Sequence, residues 1–455
     1  MIDICSLSTL AEITSGQLVG SDAEFCSVST DTRSIEPGDL FVALQGPNFD
    51  GNRYVAQADA QGAIGALVSS CQETDLPQVK VSDTLTALGA LARHNRQKFN
   101  GKLVAITGSC GKTSVKEMLA DLLAEEGSTL ATSGNFNNHI GAPLTLLRIS
   151  RQHQFAVIEL GASAVGEINY TASIAKPDVS ILTNAASAHL EGFGSYENIV
   201  KAKGEIITAL GSESVAVLNA DDAAFEYWLD LAKPRKVKAF SLEAGNRRAD
   251  VWAESIGLHP DSCSFEMCWS EGRLPVLLPL PGEHNISNAL AAACAANALG
   301  VSWEQIQKRL CGLKGVKGRL EISESELGYT VINDTYNANP SSTKAALDVL
   351  ANAKGYRVAV LGDMAELGSD ASLMHTEIGR YAREGRADAV YAYGQFAEDI
   401  ARSYGDKAQF FKTKQLLTEA LIKELRADAT YLVKGSRSSA METVVEKMLK
   451  QKVIA

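Results

Sequence analysis

The sequence predicts an α/β protein of three domains: a central, mostly parallel sheet of the phosphate-loop type, a C-terminal Rossmann-like sheet, and a smaller N-terminal α/β domain. Three observations lead there. The chain has 455 residues, too many for one hydrophobic core. From residue 103 onward, short apolar runs alternate with helical patterns, the rhythm of a doubly wound sheet. That rhythm breaks at G-L-K-G-V-K-G-R-L, residues 312–320, a glycine-rich stretch that reads as a linker. The domains are expected at 1–100, 101–314 and 315–455.

Composition narrows the function. Hydrophobic residues make up 45% and charged residues 21%, the balance of an ordinary globular protein. A formal net charge of -11 argues against a broad nucleic-acid surface, though not against one anionic substrate. The eight cysteines are scattered without a C-x-x-C pair. Cys263 and Cys268 have no second cysteine or histidine pair nearby, so no zinc site is expected and free thiols are. The opening M-I-D-I-C-S-L-S lacks a basic segment followed by an apolar one. No apolar run reaches membrane-spanning length; 289–299 is alanine-rich and too short, and reads as a buried helix. A cytoplasmic protein with no nucleic-acid partner and no membrane insertion is expected.

Taken in order, the first block runs to about Asn100 and ends in a polar helix tail, R-H-N-R-Q-K-F-N. The second opens with a strand at 103–107, followed by strands at 155–160, 179–183 and 215–219. Residues 236–278 read as an antiparallel annex, and helices follow near 284–298 and 302–311. In the third block strands are expected at 329–333, 357–361, 389–392 and 430–433.

V-A-I-T-G-S-C-G-K-T-S, residues 104–114, follows a strand and precedes a helix, as a phosphate loop requires. Gly108 and Gly111 let backbone N–H groups of Ser109, Cys110 and their neighbours close around phosphate oxygens, and the helix N-terminus adds partial positive charge. Lys112 reaches terminal phosphates, Thr113 offers a hydroxyl to Mg²⁺, and Ser114 completes the segment. The spacing departs from the general pattern, with two residues instead of four between the glycines. Glu159 ends the apolar strand F-A-V-I-E-L. A carboxylate there points into the ligand crevice and suits Mg²⁺; a helix cap or surface ion pair is the plain alternative. His189 follows the next strand closely and is a candidate metal ligand, although a lone histidine is more often a packed or solvated side chain. Composition alone places Lys201 and Lys203 on a solvated helix face.

Together, T-G-S-C-G-K-T, the strand-end glutamate, H-L-E-G-F-G and A-K-G-E resemble the Mur ligases of peptidoglycan synthesis, and the resemblance spans essentially the whole chain. S-T-D-T-R-S-I-E-P-G-D-L-F-V-A-L-Q-G (29–46) is similar to the family's UDP-sugar-binding segment, T-S-G-N-F-N-N-H-I-G-A-P-L-T-L-L (132–147) to its asparagine-glycine segment, and P-G-E-H-N-I-S-N-A-L (281–290) to its adenine segment. N-D-T-Y-N-A-N-P-S-S (333–342), L-G-D-M-A-E-L-G (361–368) and V-K-G-S-R-S-S-A-M-E (433–442) look like the branch that adds D-alanyl-D-alanine. The D-N-P-R of the diaminopimelate-adding branch does not occur.

The resemblance implies an ATP- and Mg²⁺-dependent amide ligase of cell-wall biogenesis. Its partners would be UDP-N-acetylmuramoyl-tripeptide (UDP-MurNAc-tripeptide) and D-alanyl-D-alanine, and it would act as a monomer. It implies Lys112 for the ATP phosphates, and Thr113, Glu159 and His189 as metal ligands. Lys203 would be converted by CO₂ to a metal-binding carbamate. Asn285 or Asn288, with Asn285 preferred, would contact adenine. Arg319 would reach phosphate from the hinge, and Asp334 would hold ribose. Ser29, Thr30, Asp31, Arg33 and Gly46 would face the uridine side. Asn137 and Asn138 would serve the substrate, and Asn337, Asn339 and Ser341 the incoming amine. Another member adding a single amino acid is the alternative. From the residues alone, Arg319 is also readable as a linker charge, Asp334 as a helix cap, and Asn337 and Asn339 as turn formers ahead of Pro340.

Overall fold

The computed structural model describes residues 1–186 and 190–451. Three main sheets follow one another along the chain. The first has five short strands in the order Gln17–Val19, Gln78–Lys80, Gly65–Val68, Leu40–Val42, Val28–Ser29. Only the Gln17–Val19/Gln78–Lys80 pair is antiparallel. Gly65–Val68 and Leu40–Val42 are buried throughout, so they read as apolar runs and do not alternate.

The second sheet has nine strands. Lys102–Thr107 lies between Phe155–Glu159 and Val179–Leu182. Thr129–Ala131 flanks Phe155–Glu159, and Val215–Asn219, Lys236–Ser241 and Val251–Leu258 extend the other side, all in parallel. Cys263–Trp269 and Gly272–Leu278 close the sheet antiparallel. The annex expected over 236–278 is therefore corrected at its start: Lys236–Ser241 belongs to the parallel sheet. Helix Phe225–Ala232 carries the chain back between Val215–Asn219 and Lys236–Ser241, so those two strands pair in parallel, and a turn does the same for the strand that follows. Asp250 donates its N–H to Ala239 O and accepts the Ala239 N–H on its carboxylate, both at 2.8 Å. That folds the chain back so the next strand enters in the same direction.

Strand order reverses at Lys102–Thr107, so a crevice forms beyond its carboxyl end. Helices Lys112–Leu123 and Glu283–Ala298 share a core with one face of this sheet. The alanine-rich helix is buried from Asn288 through Ala296, which accounts for its lack of a polar stripe. The other face shares a continuous core with the first domain, from Leu7, Leu88 and Leu91 to Leu146, Ile168 and Ala172. At that seam the Asn95 amide donates to Leu146 O at 2.9 Å and Ile149 O at 3.1 Å, and accepts from Ile2 N–H at 2.8 Å. A buried amide satisfied in this way fixes the two domains in register.

The third sheet runs Glu321–Glu324, Thr330–Asp334, Ala429–Lys434, Tyr356–Gly362, Ala389–Tyr393, Ala408–Phe411. It is parallel except for the first strand. Among the described residues, no helix is long and apolar enough to cross a membrane.

Candidate active site

Residues 108–111 join Lys102–Thr107 to helix Lys112–Leu123. Gly108 and Gly111 have φ of 148° and 84°. A Cβ would lie 1.9 Å from Thr183 Oγ1 at Gly108 and 2.4 Å from Asn288 Oδ1 at Gly111. Both positions therefore exclude a side chain by backbone conformation and by space. The neighbouring strand's end staples the loop. Ser109 N–H donates to Asn184 O at 3.0 Å and Cys110 N–H to Asn184 Oδ1 at 2.9 Å. The Thr183 hydroxyl donates to Cys110 O at 2.6 Å. Lys112 folds back so that Nζ donates to Gly108 O at 2.7 Å. Burial lowers its pKa, and the Glu159 carboxylate opposes that.

Glu159 ends its strand and is 3% exposed, which rules out a surface ion pair. Its Oε2 accepts from the Thr113 hydroxyl and its Oε1 from Asn137 Nδ2, each at 2.8 Å. Thr132 Oγ1 accepts the Glu159 N–H at 2.9 Å. The third domain arrives at the same point. Arg319 Nη2 donates to Thr113 Oγ1 at 2.8 Å, and the Asn339 amide lies 3.3 and 3.5 Å from Cys110 Sγ. The Arg319 Nε is buried without a partner among the described residues, a donor left available for an acceptor such as a phosphate oxygen. A cleft of 830 Å³ opens alongside, lined by Ser114, Met118, Leu280, Asn285, Leu313 and Arg319, a volume typical of small-ligand sites.

A hydroxyl beside a carboxylate is an oxygen donor set that fits a hard divalent cation. Among the described residues, which do not include the expected ligand His189, no three acidic, histidine or cysteine groups converge.

Lys203 departs from the composition reading. Helix Tyr196–Thr208 buries Ile199, Ala202, Lys203, Ile206 and Ile207, the stripe of an amphipathic helix, while Lys201 is exposed. Lys203 is 2% exposed, with Nζ 5.3 Å from the Phe193 ring centroid. Burial, aided by the charge of Lys112, brings its pKa down to about 7. His189 lies outside the described residues.

Residues 24–96 match the Mur ligase family catalytic domain, 106–296 the Mur ligase middle domain, and 318–437 the Mur ligase glutamate ligase domain. The chain belongs to the Mur ligase family. Among its relatives, the UDP-N-acetylmuramoyl-tripeptide--D-alanyl-D-alanine ligase of Escherichia coli (strain K12) is 44% identical over 97% of both chains. The enzyme of the same name in Bacillus subtilis (strain 168) is 33% identical over 98% of both. Among solved structures, MurF from Acinetobacter baumannii superposes with a TM-score of 0.93 at 37% identity, covering 99% of this chain and 100% of that one. MurF ligase from Thermotoga maritima in complex with ADP gives 0.84 at 30% identity, over 93% and 97%.

The other expected site residues of this Mur ligase fall in three places. Near the phosphate loop, Asn288 packs on Gly111 and donates to Asn285 Oδ1 at 3.3 Å, while Asn285 Nδ2 donates to Pro281 O at 2.8 Å. Asn138 Oδ1 accepts from the N–H groups of Ile140 and Gly141 at the entry to helix Gly141–Leu147. In the third domain, Asp334 does not cap a helix. It pairs with Lys434 Nζ at 2.5 Å, and Lys434 also donates to Asn337 O at 2.9 Å. Asn337 Oδ1 accepts from Ala338 N–H at 2.9 Å. Asn339 Oδ1 accepts from Ser342 N–H at 2.8 Å and caps helix Pro340–Ala351, where Ser341 is exposed.

In the first domain, the Ser29 hydroxyl donates to Asp31 O at 2.9 Å. Arg33 forks onto the Asp31 carboxylate at 2.9 and 2.6 Å, holding that carboxyl at a pKa of about 2. Thr30 is half-buried and Gly46 exposed. Solvent screens the Asp31–Arg33 pair, so it adds little to stability.

Sequence reasoning passed over Thr183, Asn184, Tyr336 and Lys434. Asn184 and Lys434 each had a usable signal, a polar residue at or just beyond the carboxyl end of an apolar parallel strand.

Proposed function

We propose that this chain joins D-alanyl-D-alanine to the terminal carboxylate of UDP-N-acetylmuramoyl-tripeptide at the expense of ATP. An oxygen of that carboxylate attacks the γ-phosphorus, the bond to the β-phosphate oxygen breaks, and ADP departs. The neutral amine of the dipeptide then attacks the acyl carbon. Phosphate leaves, and the amine nitrogen loses its proton as the amide forms.

The observation that supports this best is the hydrogen-bonded chain Arg319–Thr113–Glu159. It brings a hinge arginine, a phosphate-loop hydroxyl and a strand-end carboxylate to one point. The first step presses two anions together, so charge neutralisation dominates its barrier. In this reading Lys112, the loop N–H groups and Arg319 hold the phosphates, and Asn285 with the cleft takes the base. Thr113, Glu159 and His189 would hold Mg²⁺, which supplies further positive charge at the transferring phosphoryl group. Lys203 is suited to react with CO₂, giving a carbamate and releasing a proton, because only a neutral amine does so and its pKa of about 7 keeps much of it neutral. Ser29, Thr30, Asp31, Arg33 and Gly46 take the uridine diphosphate end. Of the residues assigned to the dipeptide, Ser341 presents an exposed hydroxyl, while Asn339 is already engaged at its helix cap and at Cys110.

The decisive assay supplies ATP, Mg²⁺ and UDP-MurNAc-tripeptide and compares phosphate release with D-alanyl-D-alanine, with single amino acids, and with neither. Release should depend on the dipeptide and vanish in Lys112→Ala. Comparable release with a single amino acid would reassign the chain to another branch of the family.

A further inference from the structure

We propose that Tyr336 is the positioning residue for Arg319. The proposal rests on the reading of Arg319 as the arginine that reaches ATP phosphates, and explains how a linker side chain is aimed.

Arg319 sits between two left-handed residues, Gly318 with φ of 71° and Leu320 with φ of 50°. A leucine avoids that region unless its surroundings impose it. Leu320 is 7% exposed and packs into the third-domain core, so core packing sets the direction in which Arg319 leaves the chain. The turn is tied to the end of strand Thr330–Asp334. Tyr336 N–H donates to Gly318 O at 3.1 Å. Gly318 N–H and Asn333 Nδ2 donate to the same Glu321 oxygen, at 3.0 and 2.9 Å.

That scaffold fixes the Arg319 backbone but not its long side chain. At the guanidinium, Nη2 donates to Thr113 Oγ1. The Tyr336 ring supplies the second constraint, with its centroid 4.2 Å from Arg319 Cζ. A flat aromatic wall selects one guanidinium plane from the many an arginine samples, through cation–π attraction and lost rotamer freedom. Because the ring and the arginine backbone hang from the same turn, the arginine is already aimed when the third domain meets the phosphate loop.

The test measures Kd for ATP by calorimetry, together with kcat and KM, for Tyr336→Phe, Tyr336→Leu, Arg319→Ala and the Tyr336→Leu/Arg319→Ala pair. Tyr336→Phe keeps the ring and should stay within about twofold of the parent. Tyr336→Leu should lose about 5- to 30-fold in kcat/KM for ATP, the span expected of a partly desolvated cation–π contact. Its circular dichroism and melting curve should be unchanged. On the Arg319→Ala background Tyr336→Leu should cost less than about twofold more, because nothing remains to be aimed. Equal losses for Phe and Leu, or a full additional loss without the arginine, would overturn the positioning role. An Arg319→Ala variant with parental affinity and rate would instead remove the underlying reading of Arg319, and the proposal with it.

Discussion

Lys203 shows how one side chain can be chemically primed by its surroundings. Its amine is shifted to about 7 chiefly by burial, since burial penalises the charged form. At pH 6 most of it should be protonated and unable to take up CO₂. Turnover is therefore expected to fall from pH 8 to pH 6, and added bicarbonate should restore part of it; a profile indifferent to bicarbonate would exclude the carbamate. The same shift has a stability consequence. With the folded pKa below the unfolded one, the unfolded chain binds more protons between about 7 and 10.5, so stability rises with pH across that window. In bicarbonate-free, metal-free buffer, Lys203→Met should raise the melting temperature most at or below pH 7 and least near pH 10, while abolishing turnover. Gly111 is a constraint of another kind. A Cβ there would lie 2.4 Å from Asn288 Oδ1, on a backbone at φ of 84°. Gly111→Ala is expected to weaken ATP at least about tenfold with the fold retained. Adding Asn288→Ala should recover only part of that, because the backbone strain remains; full recovery would show that space alone matters.

Strand ends, more than helices, gather the site. Glu159, Asn184, Asp334 and Lys434 all lie at or just beyond the carboxyl ends of parallel strands. Lys434 is 2% exposed and pairs with Asp334 at 2.5 Å, joining two strands whose last residues are in register. Lys434→Met would strand a largely buried carboxylate, a change that costs about 3 kcal/mol. Faster hydrogen exchange is expected across 330–334 and 429–434, with recovery when Asp334→Asn is added. Unaltered protection in Lys434→Met would mean that the pair holds nothing together. This also explains what the sequence could reveal. The phosphate loop was legible because its chemistry is contiguous, and Glu159 because an apolar strand ending in an acid is unusual. Lys203 was misread from composition, because which face of its helix is buried is decided by the sheet it packs on. Asn339 reads from the sequence as a turn former ahead of Pro340, but it caps helix Pro340–Ala351 and neighbours Cys110, 229 positions away, which only tertiary packing brings close. Lys434 went unassigned although it obeys the rule that found Glu159.

At the level of the assembled domains, the two seams differ in kind. The first and second domains share one core and a satisfied buried amide, so they should move together. The second and third meet at the phosphate loop through polar contacts, Arg319 to Thr113 and Asn339 to Cys110, joined by the glycine-rich 312–320 stretch. Seams of small polar contacts open and close more readily than shared cores, and an acyl phosphate demands closure against water. The third domain should therefore open and shut over ATP, with Asn339 approaching Cys110 only when shut. Both atoms of the Asn339 amide lie within 3.5 Å of Cys110 Sγ, so an Asn339→Cys variant places two sulfurs within reach of a disulfide after a small adjustment. Losing the helix cap should cost about 1 kcal/mol, too little to unfold the domain. Under mild oxidation the variant is expected to form an internal cross-link, seen as altered mobility on a non-reducing gel, faster with Mg²⁺ and an ATP analogue than without. Adding Cys110→Ser should abolish it, which separates it from bonds through the exposed Cys26, Cys71 and Cys311. A cross-link equally fast with and without nucleotide would mean that the two domains stay shut, and the absence of any cross-link would mean that Asn339 does not reach the phosphate loop in solution.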